Sequence, residues 1–236
     1  MTPERYRKIT QVLDQRQPDL TVITEKVYKG HNISAIMRTC DAVGIPRLHA
    51  IWPEGRMRIA RGTSMGSQRW VRVRRHPDVD HAIDELSDQG LQVYAAHLSD
   101  TAVDFRDIDY TRPTAVLLGT EREGVSDHAA ARVDGHIQVP MHGMVESFNV
   151  SVAAAIILME AERQRRDAGF YDRPRLDAES YRRLFFEWAH PKLAHFCRER
   201  GLDYPEVDDT GEVRDGPGWY RRVREGQART TEDLPE

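Results

Sequence analysis

Three short stretches of the 236-residue chain hold residue types that can do chemistry. Gly119-Thr-Glu121-Arg-Glu-Gly124 sets carboxylates between two glycines, which permit a tight turn that a ligand can approach closely. Pro140 to Asn149 is a Pro-, Gly- and Met-rich loop that ends in Ser147-Phe148-Asn149, ahead of an apolar run from Val150 to Met159. The Asn149 side chain is placed to cap a helix formed by that run. A helix N-terminus gathers backbone N–H donors and favours anionic ligands. In the third stretch, Asn32 to Gly44, Arg38 lies off the apolar stripe of Ile33, Ile36, Met37 and Cys40. There it either pairs with a neighbour such as Asp41 or reaches a phosphate. Taken singly, each stretch is also compatible with ordinary structure: a strand-loop-helix unit, a cap, a surface ion pair.

Other chemistries find no support. No GxGxxG follows the first strand and no GxxxxGK(S/T) occurs, so neither a dinucleotide domain nor a phosphate-loop NTPase is expected. The ten histidines form no HExxH, and Cys40 and Cys197 have no CxxC spacing, so no metal is expected. A reducing cytoplasm fits this cysteine usage better than a disulfide framework. No signal peptide is apparent, and the longest apolar run is too short to span a bilayer. The net charge of −4 argues weakly against a polyanionic partner, but the distribution argues for one. Basic residues cluster at Arg5, Arg7 and Lys8; at Arg56, Arg58 and Arg61; at Arg69, Arg72, Arg74 and Arg75; and at Arg163, Arg165 and Arg166.

The elements that must position these residues follow from periodicity. A helix is predicted over 1–18, with Tyr6, Ile9, Val12 and Leu13 at helical spacing and Pro18 as its end. Leu20–Ile23 reads as a strand, and Asn32 as the N-cap of a helix that stops at Gly44. Further strands are expected at 47–52, 70–73, 91–96, 114–118 and 137–140, and further helices at 77–90 and 125–133, with 97–112 irregular. This alternation predicts an α/β domain with a mostly parallel sheet flanked by helices. Ligands then bind beyond the strand C-termini, where the 119–124 and 140–149 loops fall. The run from Val150, apolar at nearly every position, predicts a helix buried on all sides. Ala178–Arg200 reads as a helical extension split or kinked at Pro191, with Phe185, Phe186 and Trp188 packing on the body. Residues 201–236 are expected to be loosely ordered. The division is a helical extension at 1–19, the α/β domain at 20–168, and a helical extension with tail at 169–236.

In combination the stretches resemble a family. Asn32-Ile-Ser-Ala-Ile-Met-Arg38 through Gly44, Leu117-Leu-Gly-Thr-Glu121-Arg-Glu-Gly124, and Ile137-Gln-Val-Pro140 through Ser147-Phe-Asn149-Val-Ser151 are similar to the three motifs of SpoU-type RNA 2′-O-ribose methyltransferases. The flanks resemble the TrmH subgroup, which acts on guanosine 18 of tRNA: Arg16 to Thr21, Asp104 to Thr111, and Arg163-Gln-Arg165. The resemblance implies a SPOUT fold, an α/β domain whose C-terminal segment forms a deep trefoil knot. It implies a homodimer whose interface includes the helix near 149–160, tRNA as partner, and S-adenosylmethionine bound within the knot. By motif match Ala96, Gly119, Val139 and Phe148 lie at the cofactor, with Phe148 where leucine is commoner. Arg38 is the implied catalytic residue, and Asn32, Glu121, Ser147 and Asn149 fill the other polar positions. Lys8, Arg163, Arg165 and Arg173 match basic positions that contact RNA.

The implied reaction is attack of a ribose 2′-OH on a methyl group, which needs alignment and removal of a proton. An arginine stays charged. Arg38 is therefore read as pairing with the target nucleotide's phosphate and positioning the hydroxyl, the phosphate or water taking the proton. Two alternatives stay open. One is a SpoU-type enzyme acting on ribosomal RNA or another tRNA position, a type that usually carries a separate N-terminal RNA-binding domain. The other is an inert RNA-binding protein on the same scaffold, against which intact Arg38, Glu121, Ser147 and Asn149 speak.

Overall fold

The computed structural model describes residues 1–52, 66–120 and 123–230, in two compact units: Gln15–Arg175, and Met1–Asp14 with Leu176–Glu236. In chain order the elements are α1 (Pro3–Asp14), β1 (Leu20–Glu25), α2 (Gly30–Ala42), β2 (Arg47–Ile51), β3 (Arg72–His76), α3 (Val79–Asp88) and β4 (Gln92–Ala96). Then come β5 (Val103–Asp104), β6 (Thr114–Leu118), α4 (Asp127–Ala130), β7 (Gly135–Gln138), α5 (Val150–Asp167), α6 (Ala178–Ala189), α7 (Pro191–Glu199) and α8 (Gly216–Arg224).

Among the described residues of the larger unit seven strands lie in the order β3-β2-β1-β6-β4-β7-β5, and every pairing between them is parallel. Parallel strands with helices on both faces must be apolar on both sides, and every residue of β1 and β6 is buried. The side-chain alternation sorts them into two layers. Val22, Val116 and Leu118 join Ile33, Ile36 and Met37 of α2 and Ile157 and Leu158 of α5. Ile23, Ala115 and Leu117 join Val79, Ala82, Ile83 and Leu86 of α3 and Ala129 of α4. Each such valine, leucine, isoleucine or methionine contributes about 1.5–3 kcal/mol by burial.

Several expectations change. α2 starts at Gly30 with Lys29 at the N-cap, so Asn32 is not the cap; it is buried inside the first turn, its side chain turned to Asn149. Gly44 does end this segment: its φ is +85°, and a Cβ there would stand 2.5 Å from the Gln15 carbonyl oxygen. α5 runs on to Asp167 and buries one stripe, Val150, Ala154, Ile157, Leu158, Ala161 and Arg165. Val152 and Met159 remain 44% and 51% exposed, so within one chain this helix is not covered on all sides. The 97–112 segment supplies the edge strand β5, too short at two residues to show a period.

The smaller unit holds α1 together with the C-terminal helices. Ile9 and Leu13 are buried, Tyr6 meets Phe185 edge-on at 5.4 Å, and Tyr181 donates to Asp14 at 2.9 Å. Pro191 opens α7, since a proline's missing N–H costs nothing in a first turn; His190 ends α6 and precedes it. The expectation of loose order fails for 201–230. Trp219 is buried with Cys197 and Leu202, and Asp215 caps α8 by accepting from the Gly218 N–H. Residues 231–236 lie outside the described residues. Among the described residues no helix is long and apolar enough to cross a membrane.

Candidate active site at the strand C-termini

The C-terminal ends of β4, β6 and β7 open on a cavity of about 350 Å³. Its walls include Ala96, Leu118, Gly119, Ile137, Val139, Phe148 and Ile157, with Thr120, Glu123, Glu146 and Ser147 as polar members. The four positions expected at the cofactor, Ala96, Gly119, Val139 and Phe148, thus line one space, and Ser147 joins them. The turn after β6 is closed by paired backbone bonds, Thr120 N–H to Gly124 O at 2.9 Å and Gly124 N–H to Thr120 O at 3.0 Å. A Cβ on Gly119 would lie 1.9 Å from the Gly124 oxygen, so the turn closes this tightly only around glycine. Apolar walls with a few convergent polar groups and backbone edges suit a ligand with a flat aromatic part and a charged part.

A second cavity of about 360 Å³ adjoins the first, lined by Lys26, Val27, Tyr28, Lys29 and Asn32 and sharing Thr120, Glu123 and Val150 with it. Asn149 lines neither cavity itself but touches Asn32, which lines the second. It caps α5, accepting from the Ser151 N–H at 2.9 Å and the Ser151 hydroxyl at 2.6 Å, and its amide reaches Asn32 Oδ1 at 3.4 Å. The cap expected of Asn149 is present, and the other end of the same amide holds Asn32.

The remaining expected residues are not gathered here. Arg38 is exposed on α2 and lines neither cavity. Asp41, its anticipated neighbour, pairs instead with the buried Arg16 at 2.7 Å. Glu121 falls outside the described residues, as do Arg56, Arg58 and Arg61. Lys8, Arg163 and Arg173 are exposed, and Arg163 is held by Glu160 at 2.7 Å and Asp167 at 2.9 Å on its own helix.

Arg165 requires a correction. It is fully buried, and its five N–H donors meet five acceptors: Tyr110 O, Gln17 Oε1, Asp19 Oδ1, Asp19 O and Arg112 O. No donor is left for a phosphate. Burial pulls its pKa down, against the pull of Asp19. Asp19 also accepts from Arg175 at 2.7 Å. The only sequence signal for this network was the polar run Arg16-Gln-Pro-Asp19 just ahead of an apolar strand.

A group with metal-ligand types also emerges, which no sequence spacing indicated. His49 Nδ1 and His76 Nε2 lie 2.8 Å apart, both rings buried, with Glu85 3.9 Å from His76. A ring–ring hydrogen bond and the Arg74–Glu85 ion pair at 3.2 Å account for these contacts. Burial, and then the neighbouring imidazole, pushes His49 down to about 3.

Residues 19–159 match the SpoU rRNA Methylase family, and residues 163–216 match the C-terminal SpoU rRNA methylase family. A tRNA (guanosine(18)-2′-O)-methyltransferase of Escherichia coli K12 is 49% identical over 95% of this chain and 99% of its own length. The crystal structure of a TrmH/SpoU tRNA modifying enzyme of A. aeolicus superposes with a TM-score of 0.76 at 40% identity, covering 80% of this chain and 97% of that one. An AdoMet-bound rRNA methyltransferase of Sinorhizobium meliloti superposes at 0.57 with 27% identity, covering 65% and 59%.

Proposed function

Because the chain belongs to the SpoU rRNA methylase family, we infer that it is an S-adenosylmethionine-dependent RNA 2′-O-ribose methyltransferase whose target is guanosine 18 of tRNA. The observation that carries this is the first cavity. It draws Ala96, Gly119, Val139 and Phe148 from three distant stretches to one place beyond the strand C-termini. The glycine turn leaves backbone edges for an adenine and ribose, and Glu123 and Glu146 offer negative charge to a cationic ligand. S-adenosylmethionine, when bound, supplies an electrophilic methyl group.

The chain's own residues then align the acceptor. Asn32 lines the second cavity and is held by the Asn149 amide, and so fixes part of the wall against which a ribose would rest. Arg38, exposed on α2, pairs with the target nucleotide's phosphate and so positions the 2′-OH; the phosphate or water takes the proton. Glu121 and Ser147 complete the polar set. Lys8, Arg163 and Arg173 contact the RNA backbone, and Arg165 is removed from that role.

The protein works as a homodimer in the cytoplasm. The uncovered side of α5, Val152 and Met159, and the exposed Met144 and Val145 form the apolar face that a second subunit covers. The C-terminal part of the sheet unit is threaded as a trefoil knot around the cavity, and no metal takes part.

The test is methyl transfer from labelled S-adenosylmethionine to unmodified tRNA, with the modified position mapped. Label on the 2′-oxygen of guanosine 18 is expected. Label on a base atom, or outside the D-loop, overturns the reading.

A further inference from the structure

None of the four positions expected at the methyl donor lines the second cavity, yet it shares a wall with the first. Thr120, Glu123 and Val150 border both spaces. A group seated in one lies beside a group seated in the other, the relation a methyl donor and its acceptor need.

Its own lining is of a different kind. Tyr28 is 53% exposed, large for an aromatic side chain, and is braced by Trp52, the rings meeting at 5.1 Å and 83°. Val27 and Val150 add apolar surface. Lys26 stands at the rim, exposed, directly after the buried Glu25 that ends β1. Glu25 is locked by accepting from the Ser126 N–H at 2.9 Å and the Ser126 hydroxyl at 2.7 Å. Lys26 has a φ of +54°, a left-handed conformation that a lysine adopts at a cost. Strain kept at such a position, between a locked carboxylate and a cavity, marks a residue held for a purpose other than stability.

An aromatic ring, apolar walls and a cation at the rim are what a splayed-out nucleotide meets in a protein that reads single-stranded RNA. We propose that this cavity receives the target nucleotide of the RNA, its base stacked on Tyr28 and one of its two flanking phosphates at Lys26, the other being left to Arg38, with the ribose toward the shared wall. This rests on the methyl-transfer reading above. Tyr28 and Lys26 are positioning residues for the acceptor, separate from the donor-binding set.

The experiment is steady-state methyl transfer to tRNA, beside direct titration of S-adenosylmethionine by calorimetry, for the full chain and for Tyr28→Ala, Tyr28→Phe and Lys26→Ala. Tyr28→Ala is expected to raise the KM for tRNA on the order of tenfold with S-adenosylmethionine affinity unchanged, and Tyr28→Phe, which keeps the ring, to recover most of it. Lys26→Ala is expected to reduce the slope of log KM against log salt by about one. An unchanged KM in Tyr28→Ala, with the unaltered chain active, overturns this pocket assignment alone. An unaltered chain that binds S-adenosylmethionine and methylates no tRNA overturns the functional reading, and the pocket with it. Loss of S-adenosylmethionine affinity in Tyr28→Ala also overturns the proposal, because the ring would then belong to the donor's site.

Discussion

The two ends of the parallel sheet are built on opposite terms. At the N-terminal ends, ahead of β1 and β6, Arg165 sits with five donors matched to five acceptors, and Arg175 shares Asp19 with it. Ahead of β2 and β3, Arg16 is likewise buried, on Asp41, Ile45 O and Trp70 O. At the C-terminal ends lie two adjoining cavities, a lysine at positive φ, a glycine turn with no room for a Cβ, and exposed Met144, Val145 and Phe148. One end matches its buried arginines with acceptors of the chain; the other pairs Glu25 with Ser126 and Asn149 with Asn32 but keeps two open cavities beside them. Sequence alone does not separate the two kinds of arginine. Arg163 and Arg165 are two positions apart on one helix, yet one is exposed and the other has no accessible surface.

The largest effect that can break this contrast is on stability. Arg165→Met strands Asp19 beside a single remaining arginine and leaves several buried carbonyls unpaired. Breaking a buried pair from one side costs about 3–5 kcal/mol. Urea unfolding is expected to show that loss, while kcat measured well below the new Tm stays near its original value. A normal Tm with a raised KM for tRNA would return Arg165 to the RNA surface and erase the distinction between the ends.

Next is Gly119→Ala. The added methyl would stand 1.9 Å from the Gly124 oxygen, so the paired turn must open. A displacement near 1 Å at a positioning element costs on the order of a hundredfold in rate. The expected result is a fall of that order in kcat/KM together with weakened S-adenosylmethionine binding by calorimetry. Full activity in this variant would mean that the turn is not a wall of the donor site.

How much of this was legible in the sequence follows the same divide. The apolar strand at 114–118 and the helices that prove to be Gly30–Ala42 and Val79–Asp88 were readable, because periodicity and local motifs report what neighbours along the chain do. Asn32 was misread as a cap because the partner that holds it, Asn149, is 117 residues away. The burial of Arg165 depends on Gln17, Asp19, Tyr110 and Arg112, brought together only by the sheet. The order of residues 201–230 comes from the burial of Leu202 and Trp219, the cap at Asp215 and the bridges Leu202–Thr230 and Val207–Val213, contacts that acidic, glycine-rich composition hides.

The His49–His76 pair belongs with the self-satisfied parts and gives a smaller, pH-dependent effect. Both histidines have folded-state pKa values below the ordinary one, His49 at about 3, with burial as the leading cause. Below about pH 6.5 the unfolded chain therefore binds more protons than the folded one. Stability is complete above that pH and falls as pH drops toward 3, by at most about 1.4 kcal/mol per pH unit for each histidine. Urea midpoints are expected to fall between pH 7 and pH 5, and less steeply in His49→Gln. An equal acid limb in that variant would place the titration elsewhere.

The smallest effect is the sharpest test of the C-terminal end, because it has the opposite sign for stability and function. A lysine at φ +54° carries a left-handed penalty of about 1–2 kcal/mol, which glycine does not. Glycine gives back part of that through the greater entropy of the unfolded chain, about 0.5–1 kcal/mol. Lys26→Gly is thus expected to stabilise the protein by up to about 1 kcal/mol in urea unfolding and, in the same preparation, to raise the KM for tRNA. Arg165 at the N-terminal end is expected to behave in the opposite way, since its loss breaks a buried pair from one side and lowers stability. A variant that is both more stable and equally active would show the strain at Lys26 to be incidental. One that is less stable would show that Lys26 packs as the buried arginines do, and that the two ends of the sheet follow one rule.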